Sequence, residues 1–310
     1  MQIVNLKHPK SPFPAVPCGL CLGHFDGVHQ GHRALIRELR RINAKMSPRL
    51  PLGALCFTTP PAATLSKNPP PQLTTLNKKL QLLGEAGLEF AILYDFADIK
   101  DLSPMEFVQK ILIAQCQCRV AVCGFNYSFG KGGAGKAEDL ANWLGTQPNC
   151  AVSIVPPVSD GFHTVSSSVI RQMLERGHPE DAARLLGHTF TLEGRVARGR
   201  RVGRVMGFPT ANLYFPESCL IPAHGVYAVR VRIGKRNYFG ISNVGTRPTF
   251  EDDGDKVSCE TFVFDFNGDL YGRELCISFL HFLRPEQKFS GMQALEEQIR
   301  RDVEHAKLYM

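Results

Sequence analysis

The chain of 310 residues predicts an α/β domain followed by an all-β domain. In the first half, short apolar segments alternate with helical patterns, which is typical of a mostly parallel sheet covered by helices. After about Leu186, short β-rich segments are separated by glycine, proline or charged turns and indicate a small antiparallel barrel. The length suits two domains of ordinary size, so we predict domains at 1–186 and 187–310.

Short apolar runs and helix signals define the elements of the first domain. Helical patterns cover 32–44 and 76–86. Ser103 and Pro104 open another helix to about Gln115, because serine suits the N-cap and proline the first turn. Proline and polar residues predict a surface loop over 60–71. The strand candidates are 19–22, 53–57, 90–93, 119–123 and 150–155.

The second domain ends in a helix predicted from Ser290 to about Lys307. An apolar stripe along this helix predicts core packing. The stripe consists of Met292, Leu295, Ile299 and Val303. The strand candidates before it are 190–196, 225–233, 238–244, 257–264 and 275–283.

Composition favours a folded globular protein, with 44% hydrophobic and 21% charged residues. No apolar run reaches the roughly 18–20 residues that span a bilayer, and the N-terminus lacks an apolar segment of signal-peptide length. We therefore expect a cytoplasmic protein without a membrane partner. In that compartment the ten cysteines are expected to be reduced and mostly buried.

The formal net charge of +7 points to phosphorylated ligands or nucleic acid. A solvated charged face is the bland alternative. RNA binding is another alternative, and it would make the affinity salt-sensitive. Glycines spaced through the basic segment and the Pro-Thr-Ala-Asn that follows it favour ATP, so nucleic acid is not an expected partner. Part of the excess charge is local, in Arg195, Arg198, Arg200, Arg201 and Arg204.

A glycine-rich turn, 23–32, joins a predicted strand to a predicted helix. In this order of elements, the glycines let the backbone approach a phosphate and the helix N-terminus offers free N–H donors. His29 and His32 are three residues apart at the start of the helix, so both can point at one anion. Core histidines and metal ligands are the alternatives. The pattern indicates a phosphate site suited to nucleotidyl transfer.

Two further segments support a ligand site in the first domain. The loop 124–133, with Asn126, follows a predicted strand and therefore lies at the ligand-binding edge of the sheet. Residues 166–171 begin a helix whose serines can simply cap it. Arg171 lies one turn into that helix and can reach an anion at its N-terminus.

The run 194–213 is the strongest signal in the second domain. Its glycines permit a tight loop against phosphates, with backbone N–H groups and arginines as donors. The Thr210 hydroxyl and the Asn212 carbonyl oxygen are hard ligands acceptable to magnesium. A barrel turn for the glycines and an Asx turn for Asn212 are the alternatives.

The first domain resembles the HxGH nucleotidyltransferases, in particular the N-terminal module of bacterial bifunctional riboflavin kinase/FMN adenylyltransferases. The patterns GNFDGVHxGH, G-x-[ND]-F-x-FG and SS[TS]xxIR correspond to 23–32, 124–130 and 166–171. The resemblance implies a Rossmann-like domain in which the FMN phosphate attacks the α-phosphate of ATP and displaces pyrophosphate. It implies catalytic roles for His29, His32 and Arg171, and nucleotide or flavin contacts from Gly23, His24, Gly31, Asn126, Ser167 and Ser168.

The first domain departs from this family in two places. His24 stands where the family usually has asparagine. Thr58 to Pro61 replace part of a segment like TFEPHP, so an acidic residue and a histidine are absent. A monofunctional riboflavin kinase with a degenerate first domain is therefore the alternative to a bifunctional enzyme.

The second domain resembles riboflavin kinases, whose signature GxVxxGxxxGRxxGFPTANL corresponds to 194–213. The likeness covers essentially all of 187–310. It implies a six-stranded barrel that phosphorylates riboflavin with Mg-ATP, with Glu260 as general base and Thr210 and Asn212 at Mg²⁺. An exposed strand glutamate is the alternative for Glu260. The resemblance also implies nucleotide or flavin contacts from Gly203, Arg204, Gly207 and Arg284.

Overall fold

The computed structural model describes residues 1–5, 16–197, 208–247 and 256–310. These residues form two compact units. The first unit contains 1–70 and 75–166, and the second contains 71–74 and 167–310. Among the helices within the described ranges, none is long and apolar enough to cross a membrane.

The first unit is built on a six-stranded parallel sheet, which confirms the predicted α/β class. The sheet strands are β1 (Gln2–Asn5), β2 (Cys18–Leu22), β3 (Leu52–Phe57), β4 (Phe90–Tyr94), β5 (Cys118–Gly124) and β8 (Ala151–Val155). A separate hairpin pairs β6 (Ser128–Phe129) with β7 (Gly135–Lys136). The helices are α1 (Gln30–Asn43), α2 (Pro61–Leu65), α3 (Leu76–Glu85), α4 (Phe96–Ile99), α5 (Pro104–Glu106) and α6 (Ala137–Trp143).

Alternate residues of the central strands pack into two different cores, one on each face of the sheet. Leu20 and Leu22 belong to one buried cluster, and Cys21 to the other. The strand order is β1-β4-β3-β2-β5-β8, so the chain runs outward in opposite directions from β2 and β5. The carboxyl ends of those two strands therefore form the switch point at which such sheets bind ligands.

Several local features of the first unit differ from the sequence prediction. Strand β1 was not predicted, and α2 begins at Pro61 inside the predicted loop. Ser103 and Glu106 form the capping box that starts the next helix, as its serine and proline indicate. That helix continues over Phe107–Gln115 as a π-helix, whereas the sequence predicted an ordinary helix.

The second unit contains a closed barrel of six antiparallel strands in the order β10-β13-β12-β11-β14-β9, which confirms the predicted architecture. Strand β10 was not among the sequence predictions. The barrel strands are β9 (Thr191–Ala197), β10 (Thr210–Tyr214), β11 (Gly225–Ile233), β12 (Arg236–Arg247), β13 (Lys256–Val263) and β14 (Glu274–Arg284). The helices of this unit are α7 (Ser167–Glu175), α8 (Pro179–Leu186) and α9 (Met292–Ala306).

Helix α9 packs on the barrel through part of its predicted apolar stripe. Ile299 and Val303 join Ala306 in a cluster with the strand residues Val226 and Ile241. Met292 is 56% exposed, so its predicted place in the core is wrong. Met292 is the first residue of the helix, so no preceding helical turn covers its side chain.

Candidate active sites

The histidine turn of the first unit departs from ordinary backbone geometry. It begins directly after β2 and contains a 3-10 turn, Asp26–Val28. Phe25 and Val28 have φ values of 54° and 43°, a left-handed region that L-residues rarely adopt. Both side chains are fully buried, and this packing holds the unfavourable backbone in place. Such conformations concentrate at functional sites, where the surrounding structure over-determines them.

His29 and His32 form one stacked unit at the start of α1. Their ring centroids are 3.7 Å apart with an interplanar angle of 15°. His29 is the N-cap, and its Nδ1 accepts a hydrogen bond from the His32 N–H at 3.3 Å. An accepting Nδ1 carries no proton, so His29 is held as the tautomer protonated at Nε2 when it is neutral.

The ring of His32 is held uncharged by its surroundings. Burial is the main reason that its pKa lies well below the ordinary value, and the nearby charges of His29, Lys79 and His24 lower it further. Its Nδ1 is buried and has no hydrogen-bond partner among the described residues. A buried polar nitrogen without a hydrogen-bond partner costs free energy. A ligand that forms a hydrogen bond with this nitrogen would remove that cost.

The other predicted residues of this motif border the same turn. A methyl group on Gly31 would lie 3.1 Å from Nδ1 of His29, so glycine preserves the stacked pair. His24 is exposed, with its ring edge-on to Phe57 at 6.2 Å. Asn126 is exposed in the loop after β5. Since β2 and β5 are neighbours in the sheet, Gly23 and Asn126 lie at the same edge.

The serine-arginine motif belongs by its contacts to the second unit. Helix α7 begins at Ser167, with Ser168 exposed in its first turn. The guanidinium of Arg171 donates from Nε to the Pro71 carbonyl oxygen at 2.7 Å. That carbonyl belongs to the short segment 71–74, in which Gln72 donates to Ser218 and accepts from Leu220. The motif therefore has a defined local environment within the barrel unit.

Three polar side chains form a row across the barrel. Asn212 on β10 is directly opposite Glu260 on β13, and Glu260 is directly opposite Asn243 on β12. Directly opposed residues share one face of a sheet, with Cβ atoms about 4.5–5.5 Å apart. Asn243 also donates from Nδ2 to Oε1 of Glu286 at 3.2 Å. The barrel therefore brings Asn212 and Glu260 together, as the kinase resemblance requires.

Thr210 and Asn212 also line a cavity of about 630 Å³. The segment 266–271 forms another part of its wall. Asn212 is 5% exposed, and its Oδ1 is buried without a hydrogen-bond partner among the described residues. Leaving such an oxygen unsatisfied costs about 1–3 kcal/mol. The unsatisfied amide oxygen and the hydroxyl two residues before it fit a hard cation such as Mg²⁺.

The guanidinium of Arg284 contacts the C-terminal helix. Its Nε and Nη2 donate to the carboxylate of Asp302 at 2.9 and 2.7 Å, and Asp302 is buried. The role of Arg284 at the flavin stays a prediction. Gly203, Arg204 and Gly207 lie outside the described residues.

The sequence analysis did not identify Lys79, on the helix behind the histidine turn, or Asn243, beside Glu260 in the barrel. Lys79 is three residues after Leu76 and four before Leu83 on α3. A lysine on the apolar face of an amphipathic helix was a signal that could have found it. Asn243 carried no such local signal, because only the pairing of β12 with β13 brings it beside Glu260.

Comparison with known proteins covers both units. The FAD synthetase family model matches 14–169, and the riboflavin kinase family model matches 186–310. A curated bifunctional riboflavin kinase/FMN adenylyltransferase from Listeria monocytogenes is 34% identical over 314 residues, covering 100% of this chain and 98% of the relative. The chain belongs to the bifunctional riboflavin kinase/FMN adenylyltransferase family. The presence of both catalytic domains supports the bifunctional prediction over the monofunctional alternative.

A second curated relative and a solved structure also match this chain over its full length. The Bacillus subtilis member of the family is 33% identical, with 100% of this chain and 98% of the relative covered. A crystal structure described as a macrolide-efflux protein from Streptococcus pneumoniae is 31% identical, with a TM-score of 0.89 and full coverage of both chains. The present chain and that crystal structure therefore share the same fold along their full lengths.

Proposed function

We propose that residues 187–310 phosphorylate riboflavin to FMN and that residues 1–186 adenylylate FMN to FAD, with ATP consumed in each step. The observation that carries the proposal is the presence of both family models on one chain that matches bifunctional relatives from end to end. The ten free cysteines suit a reducing compartment, so the cytoplasm is the proposed site of the reaction.

In the kinase step, Glu260 accepts the proton of the ribityl 5′-hydroxyl as that oxygen attacks the γ-phosphorus of ATP, and ADP leaves with the bridging oxygen. Asn212, opposite Glu260 on the neighbouring strand, and Thr210 hold Mg²⁺ through their side-chain oxygens. When bound, Mg²⁺ neutralises part of the phosphate charge. Phosphoryl transfer depends mainly on positioning and electrostatics, so a few groups fixed by strand register are sufficient.

In the adenylyl step, an FMN phosphate oxygen attacks the α-phosphorus of ATP, and pyrophosphate leaves. His29 and His32 donate hydrogen bonds to the phosphate oxygens on which charge develops, beside the free N–H groups of α1. Arg171 is a further proposed donor of positive charge to the phosphates of the nucleotide. Gly23, His24, Gly31, Asn126, Ser167 and Ser168 contribute nucleotide and flavin contacts.

The segment from Thr58 to Pro61, which departs from the family pattern, has a local structural role in this chain. Thr58 donates its backbone N–H to the Tyr94 carbonyl oxygen at 2.9 Å, and Pro61 opens helix α2. Such backbone interactions depend little on an acidic residue or a histidine. We therefore propose that adenylyl transfer persists with the HxGH turn and the serine-arginine motif intact.

Chromatography of reaction products tests this function directly. The full chain is incubated with riboflavin and Mg-ATP in one reaction and with FMN and Mg-ATP in another. We expect FMN and then FAD in the first, and FAD with equimolar pyrophosphate in the second. FMN alone in the first, with background pyrophosphate in the second, would favour a monofunctional kinase.

A further inference from the structure

A buried lysine lies on the helix that packs behind the histidine turn. Lys79 is 6% exposed, although its side chain ends in an ammonium. Lysine is almost never this buried unless its charge interacts with other polar groups. The N-cap Thr75 accepts a hydrogen bond from the Lys78 N–H at 3.2 Å, and the Lys79 N–H donates to the Thr75 carbonyl. The first turn of α3 is therefore fixed, together with the direction of Lys79.

Helix α3 packs against the 3-10 turn of the histidine motif. Leu80 and Leu83 share one buried cluster with Phe25 and Val28 of that turn. Lys79 lies four residues before Leu83, so the two share the face of α3 that packs against the motif.

The electrostatic surroundings agree with this placement. Lys79 is one of the charges that lower the pKa of His32, after burial of the ring and the charge of His29, and ahead of His24. It also opposes the effect of burial on Cys56, which raises the pKa of that thiol to about 12. Asp26 is the acidic residue of the 3-10 turn. These effects agree with a place for the Lys79 ammonium beside the histidine turn.

The proposed reaction needs positive charge, which a neutral His32 does not provide. Nδ1 of His29 accepts a hydrogen bond, and His32 is held neutral. Neutral imidazoles form hydrogen bonds with phosphate oxygens but do not offset their net charge. In a partly dehydrated site, a fixed cation stabilises developing negative charge far more than it does in water.

We propose that Lys79, buried on the helix that packs against the histidine turn, is a positioning residue for adenylyl transfer whose ammonium acts on His32 from behind the histidine pair. This inference rests on the adenylyltransferase function proposed above. It requires no contact between Lys79 and the reacting atoms. A neutral His32 keeps a ring nitrogen lone pair and a single N–H, and therefore one orientation toward the nucleotide.

The test compares Lys79→Met, Lys79→Gln and Lys79→Arg in the full chain, with Lys78→Met as the matched control from the same helix. The kcat/KM for FMN adenylylation is measured from pH 5 to pH 9, since this ratio reports the ionisations of the free enzyme. Loss of the ammonium makes protonation of His32 easier, so the acidic limb moves to higher pH in K79M and K79Q. At pH 6 their rate falls on the order of 10²-fold. In K79R and K78M, the acidic limb of the kcat/KM profile stays at the pH of the parent chain.

Two further readouts separate this role from a structural one. Riboflavin phosphorylation by the same samples measures the amount of active barrel unit, and far-UV circular dichroism with a thermal melt reports folding of the whole chain; we expect all four variants to stay folded and to keep the kinase rate. Proton–nitrogen NMR of the substrate-free chain follows the His32 ring, whose titration midpoint should rise in K79M and K79Q. An unchanged acidic limb and an unchanged His32 midpoint in both variants would overturn the inference. If the parent chain makes no FAD, the proposed function fails, whereas the NMR titration still tests Lys79.

Discussion

The two catalytic centres of this chain are assembled in opposite ways. In the first unit, one continuous turn after β2 carries both histidines and their supporting glycines. In the barrel, Asn212, Glu260 and Asn243 come from three strands and meet only through their register. A local motif concentrates its chemistry in one loop with unusual backbone angles. A register-based site instead depends on every strand pair that aligns it.

The chemistry of the centres differs as well. His32 lies in a buried, cation-rich setting that lowers its pKa and keeps the ring uncharged. Glu260 is a half-buried carboxylate on a strand, a group suited to removing a proton from an alcohol. Because the roles proposed for the two centres differ, with neutral imidazole donors in one and a general base in the other, single substitutions should separate the two activities. The predictions below test this separation.

The largest expected effect is that of Glu260→Gln on the kinase. Glutamine keeps the shape of the side chain but cannot accept the proton of the ribityl hydroxyl. We expect the rate of FMN formation to fall about 10²–10⁴-fold, the usual contribution of a general base. FAD formation from supplied FMN should keep its parent rate. Full kinase turnover in a normally folded variant would refute the assignment of the base.

His32→Gln is the matching change in the first unit. It removes an imidazole from the stacked pair, and we expect FAD formation to fall on the order of 10²-fold. FMN formation from riboflavin should not change. His163→Gln, at an exposed histidine of the same unit, is the control and should leave both rates intact. A parallel loss of both activities in H32Q would show that the centres are not separable.

The sequence predicted the local centre more completely than the register-based one. Turn, helix start and histidine spacing are all encoded within ten residues, so the motif could be interpreted directly. The left-handed backbone of Phe25 and Val28 could not be foreseen, because it costs about 1–2 kcal/mol per residue and is offset only by tertiary burial.

In the barrel, the fold class and most strands followed from pattern, but β10 did not. Its alanine and asparagine are depleted in strands, and the partners that stabilise it lie far along the chain. The pairing of Asn212 with Glu260 is therefore a property of the folded barrel. Only the family resemblance connected the two residues in advance.

Asn212→Leu should separate function from stability in the register-based site. Leucine has a similar volume and removes the buried Oδ1, which has no hydrogen-bond partner in the part of the chain that the structure describes. We expect the free energy of unfolding to rise by about 1 kcal/mol, or roughly 2–4 °C in Tm, measured by calorimetry without ligand. The kinase rate should fall at least about tenfold, as a proposed Mg²⁺ ligand is lost. Asn237→Leu, at an exposed site on β12, is the control and should change neither value.

The smallest expected effect concerns the cysteines. The rates at which their thiols react compare how tightly the two units are packed. All ten are free thiols, and of these only Cys150 is partly exposed while the other nine are buried. Burial raises the pKa of Cys56 to about 12 in the first unit and that of Cys259 to about 11 in the barrel. Because thiolates are the reactive form, a disulfide reagent at pH 8 should modify about one thiol per native chain rapidly.

Cys150→Ser should abolish that rapid phase and leave both enzymatic rates unchanged. The remaining thiols then react only as each unit opens, so their slow phases report local unfolding. Peptide mapping of the modified chain assigns each phase to cysteines of the sheet or of the barrel. Similar slow rates in both units would indicate similar local stability. Faster labelling of Cys259 than of Cys56 would instead show that the register-based centre opens more readily than the local one.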